Sequence, residues 1–146
     1  LNESPLLHGL DDDDTAELVQ AFQETVVSPG DCIIAHGDEG SSMYFVVRGQ
    51  VDVFDAEGEW LNEKKAGDYF GEIALIFEGQ IRQAWVVART FCVLARLDRT
   101  DFDKVFSLYP DKKAQIVNRI KDFHNVKPML EQQHVQHAIH GIMGGV

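Results

Sequence analysis

Between residues 24 and 98 glycine recurs at positions 30, 40, 49, 58, 67, 71 and 79. Short apolar runs fill the intervals. They are Val26-Val27, Cys32-Ile33-Ile34, Met43-Tyr44-Phe45-Val46-Val47 and Val51-Asp52-Val53-Phe54, then Trp85-Val86-Val87-Ala88 and Cys92-Val93-Leu94-Ala95-Arg96-Leu97. Turn signals at roughly 8–12-residue spacing between such runs predict an antiparallel sandwich or barrel. Ser28-Pro29-Gly30-Asp31 carries turn chemistry, with proline presetting φ and glycine supplying positive φ. Asp55-Ala56-Glu57-Gly58-Glu59 reads as a hairpin tip. The residues flanking the glycines do not recur, so the spacing is not an internal repeat.

Both flanks read as helical. Asp14, with Glu17 three residues on, predicts a capping box opening a helix over 15–23 that buries Ala16, Leu18, Val19 and Phe22. The run Asp11-Asp12-Asp13-Asp14 suits the positive end of that helix dipole. It lacks the alternating spacing of a calcium loop. After Asp98 the period changes. Thr100 and Asp103 predict a second helix start, with Phe102, Val105 and Phe106 on its apolar face. Pro110 interrupts, and Ala114, Val117, Ile120 and Phe123 form a stripe on the next helix. Pro128 marks a break. A further helix over 129–139 is expected, followed by a glycine-rich end that disfavours helix. The chain thus divides into a helical segment 1–23, a β unit 24–98, two helices within 99–127 and a tail 128–146.

A chain of 146 residues with 45% hydrophobic content supports one globular unit with its own core. No apolar run approaches the roughly 20 residues that span a bilayer, and no secretory signal opens the chain. It begins at Leu1, which suggests a piece of a longer protein. Cys32 and Cys92 read as buried thiols, in keeping with a reducing compartment. Asp and Glu outnumber Lys and Arg by 24 to 13, a net charge of −11. That balance opposes nucleic-acid binding, which needs clustered cations.

One stretch, 70–86, carries chemistry. It reads Phe70-Gly71-Glu72-Ile73-Ala74-Leu75, then an acidic loop Phe77-Glu78-Gly79-Gln80, then Arg82-Gln83-Ala84-Trp85-Val86. Gly71 lets backbone approach a ligand closely. A helix start at Glu72 presents free N–H groups, which favour anions. Arg82 can fork two donors onto phosphate oxygens. Glu72 only accepts, so beside a phosphate it binds hydroxyls. Together these suit a small phosphate ester.

The stretch resembles the phosphate-binding cassette of cyclic nucleotide-binding domains, which serve bacterial transcription activators, kinases, exchange factors and ion channels. The pattern Phe-Gly-Glu, small or apolar residues, a variable loop, Arg and then Ala is met by Phe70, Gly71, Glu72, Ile73, Ala74, Leu75, Arg82 and Ala84. The Ala84-Trp85-Val86 ending looks most like the bacterial catabolite activator branch. The resemblance implies a mainly β fold: an antiparallel jelly roll, an N-terminal helix, and hinge and lid helices near 100–107 and 111–126. It implies that Arg82 pairs with the cyclic phosphate and that Glu72 accepts from the ribose 2′-hydroxyl. Gly71 and the N–H groups of Ile73, Ala74 and Gln83 or Ala84 would line the sugar-phosphate.

Gln83 stands where the family often carries Ala, Ser or Thr. It can hydrogen-bond either purine, so the base is not fixed by it; the absent Thr favours cAMP over cGMP. Trp85 reads as a core aromatic, with a base-facing role as the alternative. Val47, Val51 and Val53 are candidate wall residues. His134, His137 and His140 read as a solvated helix face, since no Cys, Asp or Glu follows Glu131 to complete a metal site.

The expectation is a non-enzymatic cyclic nucleotide sensor without a cofactor. Its effector lies elsewhere in a larger cytoplasmic parent, with a channel or transporter preferred, so that any membrane association is indirect. Self-association stays open. No helix-turn-helix segment follows the lid region, and no kinase motif set is present. Two alternatives are a docking module of the same fold that has lost its ligand, and a jelly-roll metalloenzyme.

Overall fold

The structure, a computed structural model, describes residues 5–124. A 3-10 turn, Pro5–Leu7, leads into helix α1 (Asp12–Ala21). Six strands follow: β1 (Gln23–Val27), β2 (Cys32–Ile34), β3 (Ser42–Arg48), β4 (Gln50–Phe54), β5 (Trp60–Lys65) and β6 (Tyr69–Phe70). A second 3-10 turn, Glu72–Leu75, separates them from β7 (Trp85–Ala88) and β8 (Cys92–Asp98). Helices α2 (Arg99–Val105) and α3 (Pro110–His124) close the described chain. The strands form two four-stranded antiparallel sheets, in the orders β1-β8-β3-β6 and β2-β7-β4-β5. The fold is therefore mainly antiparallel β with flanking helices.

Strand alternation divides the core in two. Val46 of β3 and Leu94 of β8 point between the sheets and join Ile34, Val51, Val53, Phe70, Val86 and Ala88. Met43 and Phe45 of β3 and Leu97 of β8 point the other way. There they meet Leu18 of α1, Ile73 and Leu75 of the cassette turn, Phe102 and Phe106 of α2, and Ile116 and Ile120 of α3. One cluster builds the sandwich. The other joins all three helices to the cassette.

Local chemistry explains most element ends. Asp31 N–H donates to Ser28 O at 3.0 Å across the expected turn, with Gly30 at φ 91°. Asp55 N–H donates to Glu59 O at 2.8 Å and closes the expected hairpin tip. Pro110 begins α3, where its missing N–H costs nothing.

Several expectations are corrected. The N-cap of α1 is Asp11, which accepts from Asp14 N–H at 2.8 Å; Asp14 lies inside the helix, buried and paired with Lys112 of α3. With that register Leu18 is buried, while Ala16 and Val19 are exposed. Asp98, not Thr100, caps α2, and its carboxyl group is taken up by the Ser42 hydroxyl rather than by a helix N–H. The buried stripe of α3 is Ile116 and Ile120, four apart; Ala114 and Phe123 face outward. Cys92 is buried, but Cys32 sits exposed on edge strand β2. The expected helix over 129–139 and His134, His137 and His140 lie outside the described residues. Among the described residues no helix is long and apolar enough to cross a membrane.

The division of the core gives a direct test. Leu94→Ala, between the sheets, should destabilise the fold by about 2–5 kcal/mol. Val26→Ala, at a site 65% exposed, should stay within about 0.5 kcal/mol of wild type. Urea unfolding midpoints read both.

Candidate functional site

The 70–86 stretch folds as one compact unit against β3 and the β2–β3 loop. Phe70 is fully buried and stacks on Tyr44, ring centroids 5.2 Å apart. Gly71 adopts the left-handed conformation (φ 78°, ψ 11°) that starts the Glu72–Leu75 turn. A Cβ there would lie 3.0 Å from Arg82 Nη1 and 3.1 Å from Ser42 O, so both the backbone and the space require glycine. Ile73, Ala74 and Leu75 are buried. Ala74 N–H donates to Gly71 O at 3.2 Å. Of the N–H groups expected to line a ligand, this one already has a partner inside the turn.

Arg82 is placed by its backbone. Its N–H donates to Asp38 O at 2.7 Å and its carbonyl accepts from Gly37 N–H at 2.9 Å. One pair along, Gly40 N–H donates to Gln80 O at 2.7 Å. These bonds stitch the β2–β3 loop to the strand-like segment before β7, with Glu39 bridged to Ile81. The side chain is 5% exposed. Nη1 donates to Gly71 O at 3.2 Å and Nη2 to Ser42 O at 2.5 Å. The guanidinium lies directly over Gly40, where a Cβ would come within 2.0 Å of Nε. Burial draws the Arg82 guanidinium below its usual range, and the nearby Tyr44 and Glu72 oppose that shift. An arginine remains cationic at ordinary pH under such a displacement. Burial also pushes the Tyr44 phenol up, which keeps it protonated at the same cavity.

That cavity, of about 180 Å³, is lined by Ile33, Ile34, Ala35, the loop 38–42, Tyr44 and Arg82. Gly40, Ser42 and Tyr44 escaped the sequence reading. The run Gly37-Asp38-Glu39-Gly40 was the available signal, because paired glycines in a loop mark a close backbone approach.

Glu72 is 2% exposed. Its Oε1 is buried with no hydrogen-bond partner. Its Oε2 lies 3.0 Å from His124 Nε2 of α3, although the pair is not aligned as a hydrogen bond. A buried carboxyl oxygen without a donor is an acceptor site for a hydroxyl. His124 was not anticipated, since nothing in its neighbourhood in sequence ties it to Glu72.

The other expected site residues separate. Ala84 is buried in the sandwich core. Gln83 is half-buried and folds back to donate Nε2 to Ile81 O at 3.2 Å. Trp85 is not a core aromatic. Val86 and Ala88 take the inward positions of β7, so Trp85 points out, 37% exposed, near a roughly parallel His36 ring at 6.3 Å. Val51 and Val53 are core packers between the sheets. Val47 does not line the cavity: on β3 it follows Met43 and Phe45 to the outer face and is exposed. Among the described residues no cluster of His, Cys, Asp and Glu fits a metal ion.

Comparison with known proteins agrees with this geometry. The sequence model described as "Cyclic nucleotide-binding domain" matches residues 24–109. A cAMP-dependent protein kinase regulatory subunit from Eremothecium gossypii is 35% identical over 86% of this chain and 26% of its own length. The cAMP-activated global transcriptional regulator CRP from Escherichia coli is 34% identical over 61% of this chain and 46% of its own length. The chain thus spans about a quarter to a half of these relatives. The Thermus thermophilus catabolite activator protein superposes with a TM-score of 0.74 and 29% identity, covering 90% of this chain and 63% of that one. The match over most of the β unit, and the cassette that the fold assembles within it, establish that the chain belongs to the cyclic nucleotide-binding domain family.

Proposed function

We propose that this domain senses a cyclic nucleotide, cAMP in preference to cGMP, and passes the binding event through α2 and α3 to an effector in a larger cytoplasmic protein. The observation that carries this reading is the pairing of two buried groups of opposite character in one cassette. Arg82 supplies cationic N–H donors at the edge of a cavity, and Glu72 supplies a buried acceptor without a donor. A cyclic phosphate joined to a ribose offers the complement of both. Arg82 takes the phosphate; Glu72 takes the 2′-hydroxyl. The arginine has five N–H donors, more than its two carbonyl partners use. In a chain of net charge −11, an anion is held by such local, desolvated donors and not by the overall field.

The relatives named for cAMP support the choice of base. The sequence likeness to a kinase regulatory subunit and to a transcription regulator supports an effector outside this chain. A channel or transporter parent has fold likeness alone, through the C-linker/CNBHD of zELK channels at 23% identity. A kinase regulatory subunit among the relatives supports a regulatory rather than a catalytic role.

Calorimetric titration should show saturable binding, tighter for cAMP than for cGMP. Arg82→Ala should weaken cAMP binding by about 1.5–3 kcal/mol, roughly 10- to 150-fold. Glu72→Gln should reduce the preference for cAMP over 2′-deoxy-cAMP. A folded wild-type domain that binds neither nucleotide would support the docking-module reading instead. Gly40→Ala tests the cradle separately. Its backbone conformation tolerates a side chain, so the fold should persist, but the displaced guanidinium should lose at least about 10-fold in cAMP affinity.

A further inference from the structure

Glu72 has two claims on it. Its Oε1 lacks a donor, and its Oε2 faces the His124 imidazole at 3.0 Å. Both side chains are enclosed, with 8% of His124 and 2% of Glu72 exposed. Neutral imidazole offers an N–H, and imidazolium adds charge, so both forms are drawn to a carboxyl group. The contact nevertheless lacks hydrogen-bond alignment at Nε2. It is close enough to occupy the group and too poorly formed to satisfy it.

We propose that His124 is a latch on the ribose-binding carboxyl group: its imidazole, against Oε2, keeps the group turned with the unpartnered Oε1 enclosed, and the carboxyl group must leave it to accept from the nucleotide's 2′-hydroxyl. This rests on the function proposed above and adds the device by which ligand contact reaches α3. The mechanics follow from how α3 is held. Its first three turns are fixed. Lys112 pairs with Asp11 and Asp14 of α1, Arg119 Nη1 donates to Leu6 O at 3.1 Å, and Ile116 and Ile120 are fully buried. Beyond Ile120, Lys121, Asp122 and Phe123 are exposed, and the Phe123 ring touches the imidazole edge-on at 5.0 Å. His124 therefore tethers only the last turn. A well-aligned hydroxyl offered to Glu72 replaces a misaligned imidazole, and the freed element is that final turn, not the whole helix. The other polar groups near the carboxyl group, Arg82 and Tyr69, belong to the β unit, Arg82 on the segment before β7 and Tyr69 on β6, and not to α3.

The latch makes opposite demands on two ligands. cAMP has to break the contact; 2′-deoxy-cAMP, without the hydroxyl, does not. With His124→Ala, cAMP affinity should rise about 3- to 10-fold, the scale of one modest contact removed, while 2′-deoxy-cAMP affinity stays at the wild-type level. Hydrogen exchange without nucleotide should quicken in residues 121–124 of the variant and remain unchanged over 110–116. Unchanged or weaker cAMP binding by a folded His124→Ala protein overturns the latch, as does unchanged exchange in the last turn. An equal gain for both nucleotides also overturns it, since the competition would then not be for the hydroxyl's partner. Absence of nucleotide binding by the wild type ends the functional reading itself, and the latch with it.

Discussion

A buried arginine sets the terms for the rest of this structure. Enclosing a guanidinium is costly unless its donors are met, and here the backbone meets two of them. Gly71 O and Ser42 O accept from its two terminal nitrogens. Each carbonyl belongs to a different element, so Arg82 draws the cassette turn, β3 and the segment before β7 to one point. Two glycines make the approach feasible. Gly71 turns through a left-handed conformation and Gly40 leaves room above the guanidinium. The loop 37–40 and the Arg82 segment are then hydrogen-bonded reciprocally. The cation is thus oriented by main chain, which moves less than side chains do, and its geometry is preorganised rather than assembled on demand.

From this point polar connections run outward to the helices. Ser42, whose carbonyl holds Arg82, gives its hydroxyl to Asp98 at the start of α2. The next residue, Arg99, donates from Nη1 to Ala74 O at 3.1 Å and Phe77 O at 3.2 Å, both on the cassette. Helix α2 is therefore bonded to both sides of the site at its first turn. Helix α3 reaches the site by its other end, through His124 and Glu72. Besides the apolar cluster, the cassette has two contacts between polar groups with the helical layer, one at the start of α2 and one at the close of α3.

Much of this was legible in the chain. Six of the eight strands show themselves as apolar runs between turn signals, and the cassette shows itself through residue types whose spacing has few other uses. What was hidden had definite causes. Strand β5 reads Trp-Leu-Asn-Glu-Lys-Lys, an edge strand exposed along most of its length, so no alternation marks it. Strand β6 is two residues long. The capping residue of α1 was misplaced because four consecutive aspartates all suit a cap, and a distant lysine pairs with two of them. Trp85 and Val47 were misassigned because alternation gives two faces without saying which is inside; Val86 and Phe45 decide that only once their partners are known. His124 was invisible because its significance depends on a residue 52 positions earlier, brought near by the packing of α3.

The division of the core into two clusters has a consequence for how this domain tolerates change over its history. Leu94, Val51 and Val86 hold sheet to sheet, in a cluster to which neither the helices nor the Glu72–Leu75 turn contributes a residue. A substitution among them is judged by a single criterion, whether the sandwich still forms. Ile73, Leu75, Phe102, Phe106 and Ile120 lie where the cassette meets the helical layer. Under the proposed function a substitution there is judged twice, once on whether the chain folds and again on where the balance between arrangements of the helical layer comes to rest. Drift in the first group changes robustness alone. Under that same function, drift in the second resets sensitivity even when every ligand-facing residue is kept, so two descendants of one such domain can come to answer the same signal at different thresholds.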